Sequence, residues 1–246
     1  MFILSESRMS IVNDMFKIYD TNIPVFQSVL DGNYKGTIFV DNENSPTWAA
    51  LTTADCYTFV AGNLPAEKIL DDTLFNRVLE NQEEKQLIVF SPSTDWHRLL
   101  ESVFLPRGGF IVPRKIFSFS LEEYKKAGGW RDKIPSNAEV VITKECFEPA
   151  CINKEWVARL MFDDVCASTA VSVSGGGYAE LGIETSPDFQ GKGYATVTAL
   201  ALIEKLLQES VIPCWSTWPE REASQKVAQK IGFLPMLDIE AWVWEG

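Results

Sequence analysis

Six consecutive residues, Gln190-Gly191-Lys192-Gly193-Tyr194-Ala195, stand between a β-like run and a long apolar helical run. The first turn of a helix has backbone N–H groups with no intrahelical acceptor and a partial positive charge. Gly191 and Gly193 remove side chains that would keep an anion away from those groups, so the junction is an anion cradle, with Lys192 adding charge at its rim. Two common phosphate loops are excluded. The pattern G-x-x-x-x-G-K-[ST] is absent, and Gly191-Lys192-Gly193-Tyr194-Ala195-Thr196 fails G-x-G-x-x-G at its last position. A dinucleotide fold also opens with its loop, whereas only roughly fifty residues follow this one.

The elements around the cradle follow from periodicity. Residues 179–185 read as a strand in which Glu180 and Glu184 alternate with Leu181 and Ile183. Residues 193–208 read as a helix whose Val197, Leu200, Ala201, Ile203, Leu206 and Leu207 leave little polar surface, so it must be pressed on a sheet. A strand over 213–218, a helix over 222–231 and a strand over 239–244 complete this half. Upstream, 138–143 and 165–173 read as strands, 152–162 as a helix, and Gly175-Gly176-Gly177 as a hairpin turn.

The first half has the same order of elements without the cradle. Residues 9–30 have helical spacing interrupted at Pro24. Short strands are expected at 36–40, 48–53 and 56–61, a helix over 65–80, a strand at 86–90, a helix over 94–104 and a strand at 116–119. Ser120-Leu121-Glu122-Glu123 has capping-box form, and Gly128-Gly129 ends the helix it starts. A linker over 128–135 divides the chain into an N-terminal α/β domain, 1–127, and a second domain, 134–246. The shared order suggests distant structural repeats.

Gln190-x-x-Gly193-x-Ala195 resembles the Q/R-x-x-G-x-G/A signature of the GNAT superfamily of N-acetyltransferases. Ser224, Ala228, Lys230, Ile231, Gly232 and Phe233 are similar to that superfamily's S-x-x-x-A-x-K-L-G-F ending. Residues 180–233 look most like a bacterial GNAT family in which a divergent N-terminal domain precedes the acetyltransferase domain. The resemblance implies an α/β (α+β) fold, a GNAT-like mixed sheet flanked by helices. It implies an acetyl-CoA-dependent N-acetyltransferase acting on a small amine or a protein amine by direct attack in a ternary complex. Gln190, Gly191, Lys192, Gly193, Tyr194 and Ala195 would contact the acetyl-CoA pyrophosphate. The backbone of Ile183 and Thr185 would pair with pantetheine where their strand splays from 213–218, and Ser224 would lie near pantetheine or the thiol.

Such a reaction needs a proton acceptor for the amine, and Glu184 and Glu180 on the motif strand are the candidates. Many relatives place a tyrosine where this chain has Ala228 and an asparagine where it has Arg221. The alternative is therefore a catalytically inactive GNAT-like module that binds CoA or a partner. Trp215, Trp218, Trp242 and Trp244 read as core or as walls of an acceptor pocket, and Cys214 as a buried thiol.

Composition bounds the rest. The net charge of −12 argues against nucleic acid or an anionic membrane as a partner. Five cysteines without a C-x-x-C pair, and a single histidine, His97, point away from a metal site and toward free thiols in a cytoplasmic protein. Neither a signal peptide nor an apolar run of membrane-spanning length is present.

Overall fold

The computed structural model of the chain describes residues 1–19, 23–80 and 85–246. Among the described residues, twelve strands form one mixed sheet. The first half contributes β1 (Phe2–Ile3), β2 (Gly36–Val40), β3 (Trp48–Thr53), β4 (Tyr57–Gly62), β5 (Gln86–Phe90) and β6 (Phe110–Phe119). Its helices are α1 (Asn13–Phe16), α2 (Pro24–Leu30), α3 (Glu67–Asp72, continued by a π-helical stretch Thr73–Val78), α4 (Thr94–Phe104) and α5 (Leu121–Ala127). The second half contributes β7 (Glu139–Glu145), β8 (Glu155–Phe162), β9 (Val165–Gly175), β10 (Tyr178–Thr185), α6 (Tyr194–Gln208), β11 (Ile212–Thr217), α7 (Glu222–Lys230) and β12 (Phe233–Glu245).

The spatial order is β1-β2-β3-β4-β5-β12-β6-β11-β10-β9-β8-β7. Each half runs a β-meander into one parallel pair, β4 with β5 and β10 with β11. The closing strands are exchanged: β6 of the first half pairs with β11, while β12 lies between β5 and β6. Neither half completes its sheet without a strand from the other.

Alternation on the strands builds a layer on each face. In β4, Phe59 joins α1 and α2 with Ile38, Leu51 and Phe90, while Val60 joins α3 and α4 with Phe39, Leu87 and Trp242. In the second half α6 lies on Ala158, Ala170, Ala179, Leu181 and Trp215 through Val197, Leu200 and Ile203. That contact explains why α6 has so little polar surface.

Two local readings change. Residues 155–162 form a strand, because β8 is hydrogen-bonded by β7 on one side and β9 on the other, and two ladders outweigh a weak helical pattern. Pro24 starts α2 rather than ending a helix, a position where its missing N–H costs nothing. Ser120 accepts from the Glu123 amide at 3.3 Å as the capping box requires. The 128–135 segment is tied down: Trp130 Nε1 donates to Glu204 Oε2 at 2.8 Å, and Arg131 makes a two-pronged ion pair with the same carboxylate.

Candidate active site

The site begins where two parallel strands part. β10 and β11 pair only over Tyr178–Glu180 and Ile212–Cys214. Beyond Glu180, β10 stays on β9 as far as Thr185 while its other edge faces open space. A cavity of about 1210 Å³ occupies this split; Ile183, Thr185, Gln190, Gly191, Gly193, Tyr194, Ala195 and Ser224 all line it.

The cradle is built from local backbone geometry. Gly191 and Gly193 have φ of 74° and 83°, in the left-handed region that glycine enters without steric cost, and Gly193 caps α6. A Cβ at either position would meet nothing within 4 Å, so the space above both is open. The first amide to return to a carbonyl is that of Thr196, on Gly193 at 3.1 Å. Among the described residues, the N–H groups of residues 191–195 have no acceptor. These five donors are therefore unpaired at a helix start, where an anion would find both hydrogen-bond donors and partial positive charge.

Side chains hold the cradle in place. Gln190 Nε2 donates to the Thr185 carbonyl at 3.2 Å, so this side chain braces the loop and takes up part of the backbone edge expected to meet pantetheine. Lys192 Nζ donates to the Asp188 carbonyl at 2.9 Å and stands over the Phe189 ring. The buried Ser168 hydroxyl lies 3.0 Å from Thr185 Oγ1 and 3.1 Å from Thr198 Oγ1, joining the end of β10 to the first turns of α6. Ser224 accepts from Trp215 Nε1 at 3.1 Å.

The two candidate glutamates part company. Glu184 is exposed and lies outside the cavity lining. Glu180 lines the cavity, and its Oε1 accepts from the Ser216 amide at 2.8 Å and from the Ser216 hydroxyl at 2.6 Å. Burial raises its carboxyl above the usual range, against the opposing pull of Ser216 and Arg114. Arg114 Nε donates to Ser216 Oγ at 3.1 Å, and the guanidinium lies 4.4 Å from the centre of the Trp218 ring.

The first half supplies another wall. Tyr57, Phe59 and Phe90 line the cavity, together with Tyr34, whose hydroxyl lies 2.9 Å from Asp55 Oδ2 and 2.6 Å from Glu148 Oε1; Phe147 and Glu148, from the segment between β7 and β8 of the second half, complete this wall. Burial raises the Glu148 carboxyl. Arg221, Lys226 and Lys230 line the cavity from α7 and its N-terminal boundary. None of Arg114, Tyr34, Tyr57, Asp55, Glu148 or Ser216 belongs to a motif; tertiary pairing alone brings them here. Ala228 is fully buried in the α6 core, so no hydroxyl reaches the cavity from that position. Of the four tryptophans, Trp215 borders the cavity, Trp218 stacks on Arg114, and Trp242 and Trp244 pack in the first half.

The first half's own parallel pair is closed. β4 and β5 also pair over three residues, Tyr57–Phe59 with Ile88–Phe90. Beyond that point the Tyr19 hydroxyl sits 2.8 Å from the Val60 carbonyl and 2.9 Å from the Phe90 carbonyl, and Phe26 and Phe59 pack around its ring. A side chain fills the split that stands open between β10 and β11.

Known proteins share this architecture. A Bacillus subtilis (strain 168) protein named "Uncharacterized N-acetyltransferase YdfB" is 22% identical over 248 residues, covering 94% of this chain and 93% of the relative. A GCN5-related N-acetyltransferase-like protein from Streptococcus suis 89/1591 superposes with a TM-score of 0.73 at 21% identity, over 97% of this chain and 99% of that one. A tandem GNAT protein from the clavulanic acid biosynthesis pathway superposes with a TM-score of 0.64 at 10% identity, over 99% of this chain and 98% of that one. The profile of the GNAT acetyltransferase family matches residues 15–163 and 159–236. Split parallel strands, a glycine-opened helix start and a family match through nearly the whole sequence lead to one conclusion: this chain belongs to the GNAT acetyltransferase family and is a transferase of acetyl groups.

Proposed function

We propose that the protein is an acetyl-CoA-dependent N-acetyltransferase that acetylates a primary amine by direct attack in a ternary complex. The observation that carries this reading is the run of unpaired amides 191–195 at the mouth of the β10–β11 split. A diphosphate fits there, because donors converge on open space that a Cβ would otherwise enter. When bound, acetyl-CoA supplies an activated acetyl group as a thioester.

The chain's own residues do the rest. The amides of Gly191, Lys192, Gly193, Tyr194 and Ala195 bind the diphosphate, with Gln190 bracing their loop. The free edge of β10 at Ile183 and Thr185 offers strand-type hydrogen bonds to pantetheine, and Ser224 faces the same channel. Glu180 receives the amine proton on Oε2, which has no partner among the described residues. A carboxyl raised by burial is a stronger base than an exposed one. Glu184, exposed on the same strand face, is the second candidate for this step. Tyr34, Tyr57, Phe147 and Glu148 form the acceptor end, whose aromatic and carboxyl groups favour an amine that arrives as a cation.

Residues 1–127 and 134–246 are read as two repeats, of which the second binds the cofactor and both contribute to the acceptor wall. Cysteines outside disulfides agree with a cytoplasmic setting. Among the described residues no helix is long and apolar enough to cross a membrane.

The test is thiol release from acetyl-CoA over a panel of polyamines, amino acids, aminoglycosides and peptide N-termini. Amine-dependent release of free CoA supports the enzyme. Tight acetyl-CoA binding without turnover of any amine identifies a CoA-binding module instead, and absence of acetyl-CoA binding overturns both.

A further inference from the structure

The first half carries no cofactor loop, and the split in its own parallel pair is filled by Tyr19. Its last strand nevertheless reaches into the second half. β6 lies against β11, with Ile116 opposite Ser216 and Lys115 opposite Thr217. Arg114 follows in that register and enters the cavity. There it meets the hydroxyl that holds Glu180.

The direction of these hydrogen bonds is fixed by chemistry. Arginine Nε is a donor only, so Ser216 Oγ must accept from it. The single proton of Ser216 is thereby free to point at Glu180 Oε1, 2.6 Å away. The Ser216 amide donates to the same oxygen at 2.8 Å. Oε1 is thus saturated as an acceptor and Oε2 is left to take a proton from the cavity. The Trp218 ring, its centre 4.4 Å from the Arg114 guanidinium carbon, gives the cation an aromatic partner at this place.

We infer that Arg114 is a positioning residue for the transfer reaction: from the exchanged strand of the first half it orients Ser216, and through Ser216 it fixes and counter-charges Glu180. The inference rests on the reading of Glu180 as the base. It also gives the divergent half a chemical part in a site whose cofactor loop lies wholly in the other half. Among the described residues, Tyr57 from β4 and Cys214 from β11 also couple to Glu180, both raised by burial and both neutral while Glu180 titrates. Arg114 is therefore the positive charge that acts on this carboxyl.

The experiment is a pH titration of protein carrying ¹³C-labelled glutamate carboxyls, followed by NMR, with the Glu180 signal assigned by its loss in Glu180→Gln. Arg114→Met is expected to move the Glu180 midpoint up by about one pH unit, the lower end of what a nearby opposite charge contributes. Arg114→Lys, which keeps the charge, should restore most of that shift. Ser216→Ala should move the midpoint in the same direction, and it serves if Arg114→Met fails to fold. A midpoint in folded Arg114→Met or Ser216→Ala that matches the wild type overturns the inference. The acid limb of kcat/KM, measured with the best amine of the panel, should move with the midpoint. Full turnover in Glu180→Gln removes Glu180 as the base and sinks the underlying reading instead, while the titration still reports whether Arg114 sets its charge.

Discussion

Gly193→Asp separates the cradle from the fold. Gly193 has φ of 83° and opens α6, and a Cβ there would meet no protein atom within 4 Å. The cost to folding is therefore backbone strain alone, about 1 kcal/mol for a residue with a side chain held in the left-handed region. In a chain of this size that is a fall in Tm of about 2–4 °C. The cost to binding is much larger. A carboxylate about 5 Å from a phosphate, at an effective dielectric constant of about 20, is repelled by about 3 kcal/mol, a hundredfold loss of affinity. Calorimetric titration with CoA and a thermal melt measure the two quantities on one preparation. Gly193→Ala carries the same strain without the charge and should lose far less affinity than the Asp variant. If Gly193→Asp binds CoA within threefold of the wild type, the diphosphate does not sit on these amides and the site reasoning fails.

Glu180→Gln should lower turnover by about a hundredfold, in the usual range for a lost general base, with acetyl-CoA affinity kept within about twofold. Glu184→Gln, at an exposed position outside the cavity, should change turnover by less than about threefold; a larger loss makes Glu184 the base. Glu180→Gln should also be the more stable protein at neutral pH. Burial raises the folded-state pKa of Glu180, so the native wild type binds its proton more tightly than the unfolded chain and loses stability as pH rises through that interval. The Tm of the variant relative to the wild type should accordingly grow between pH 4 and pH 7. Tyr19→Phe leaves the Val60 and Phe90 carbonyls without that hydroxyl and should cost about 1–3 kcal/mol in a urea melt, while CoA affinity stays unchanged. Gly175→Ala would drive a methyl group into the Ser28 and Pro24 backbone of α2; a clear loss of stability is expected, with the cradle intact in whatever fraction folds.

What the sequence determines here is what short stretches of backbone decide for themselves. A pair of glycines in positive φ, a helix start and an alternating strand before it are local events, so the cradle at residues 190–195 and the elements β10, α6, β11 and α7 are legible from residue types and spacing. The helical reading of 155–162 fails where locality fails, since strand identity there comes from neighbours on both sides. The same holds for the wall proposed to carry the base. Arg114 and Ser216 are 102 residues apart and meet only because β6 is inserted beside β11. Backbone ladders pair through N–H and C=O groups that every residue type shares, so the exchange of β6 and β12 leaves no mark in composition or periodicity. The glycine-opened cradle is thus written in the sequence. The poise of Glu180, the plug formed by Tyr19 and the proposed acceptor end of the cavity are decided only when distant strands come together.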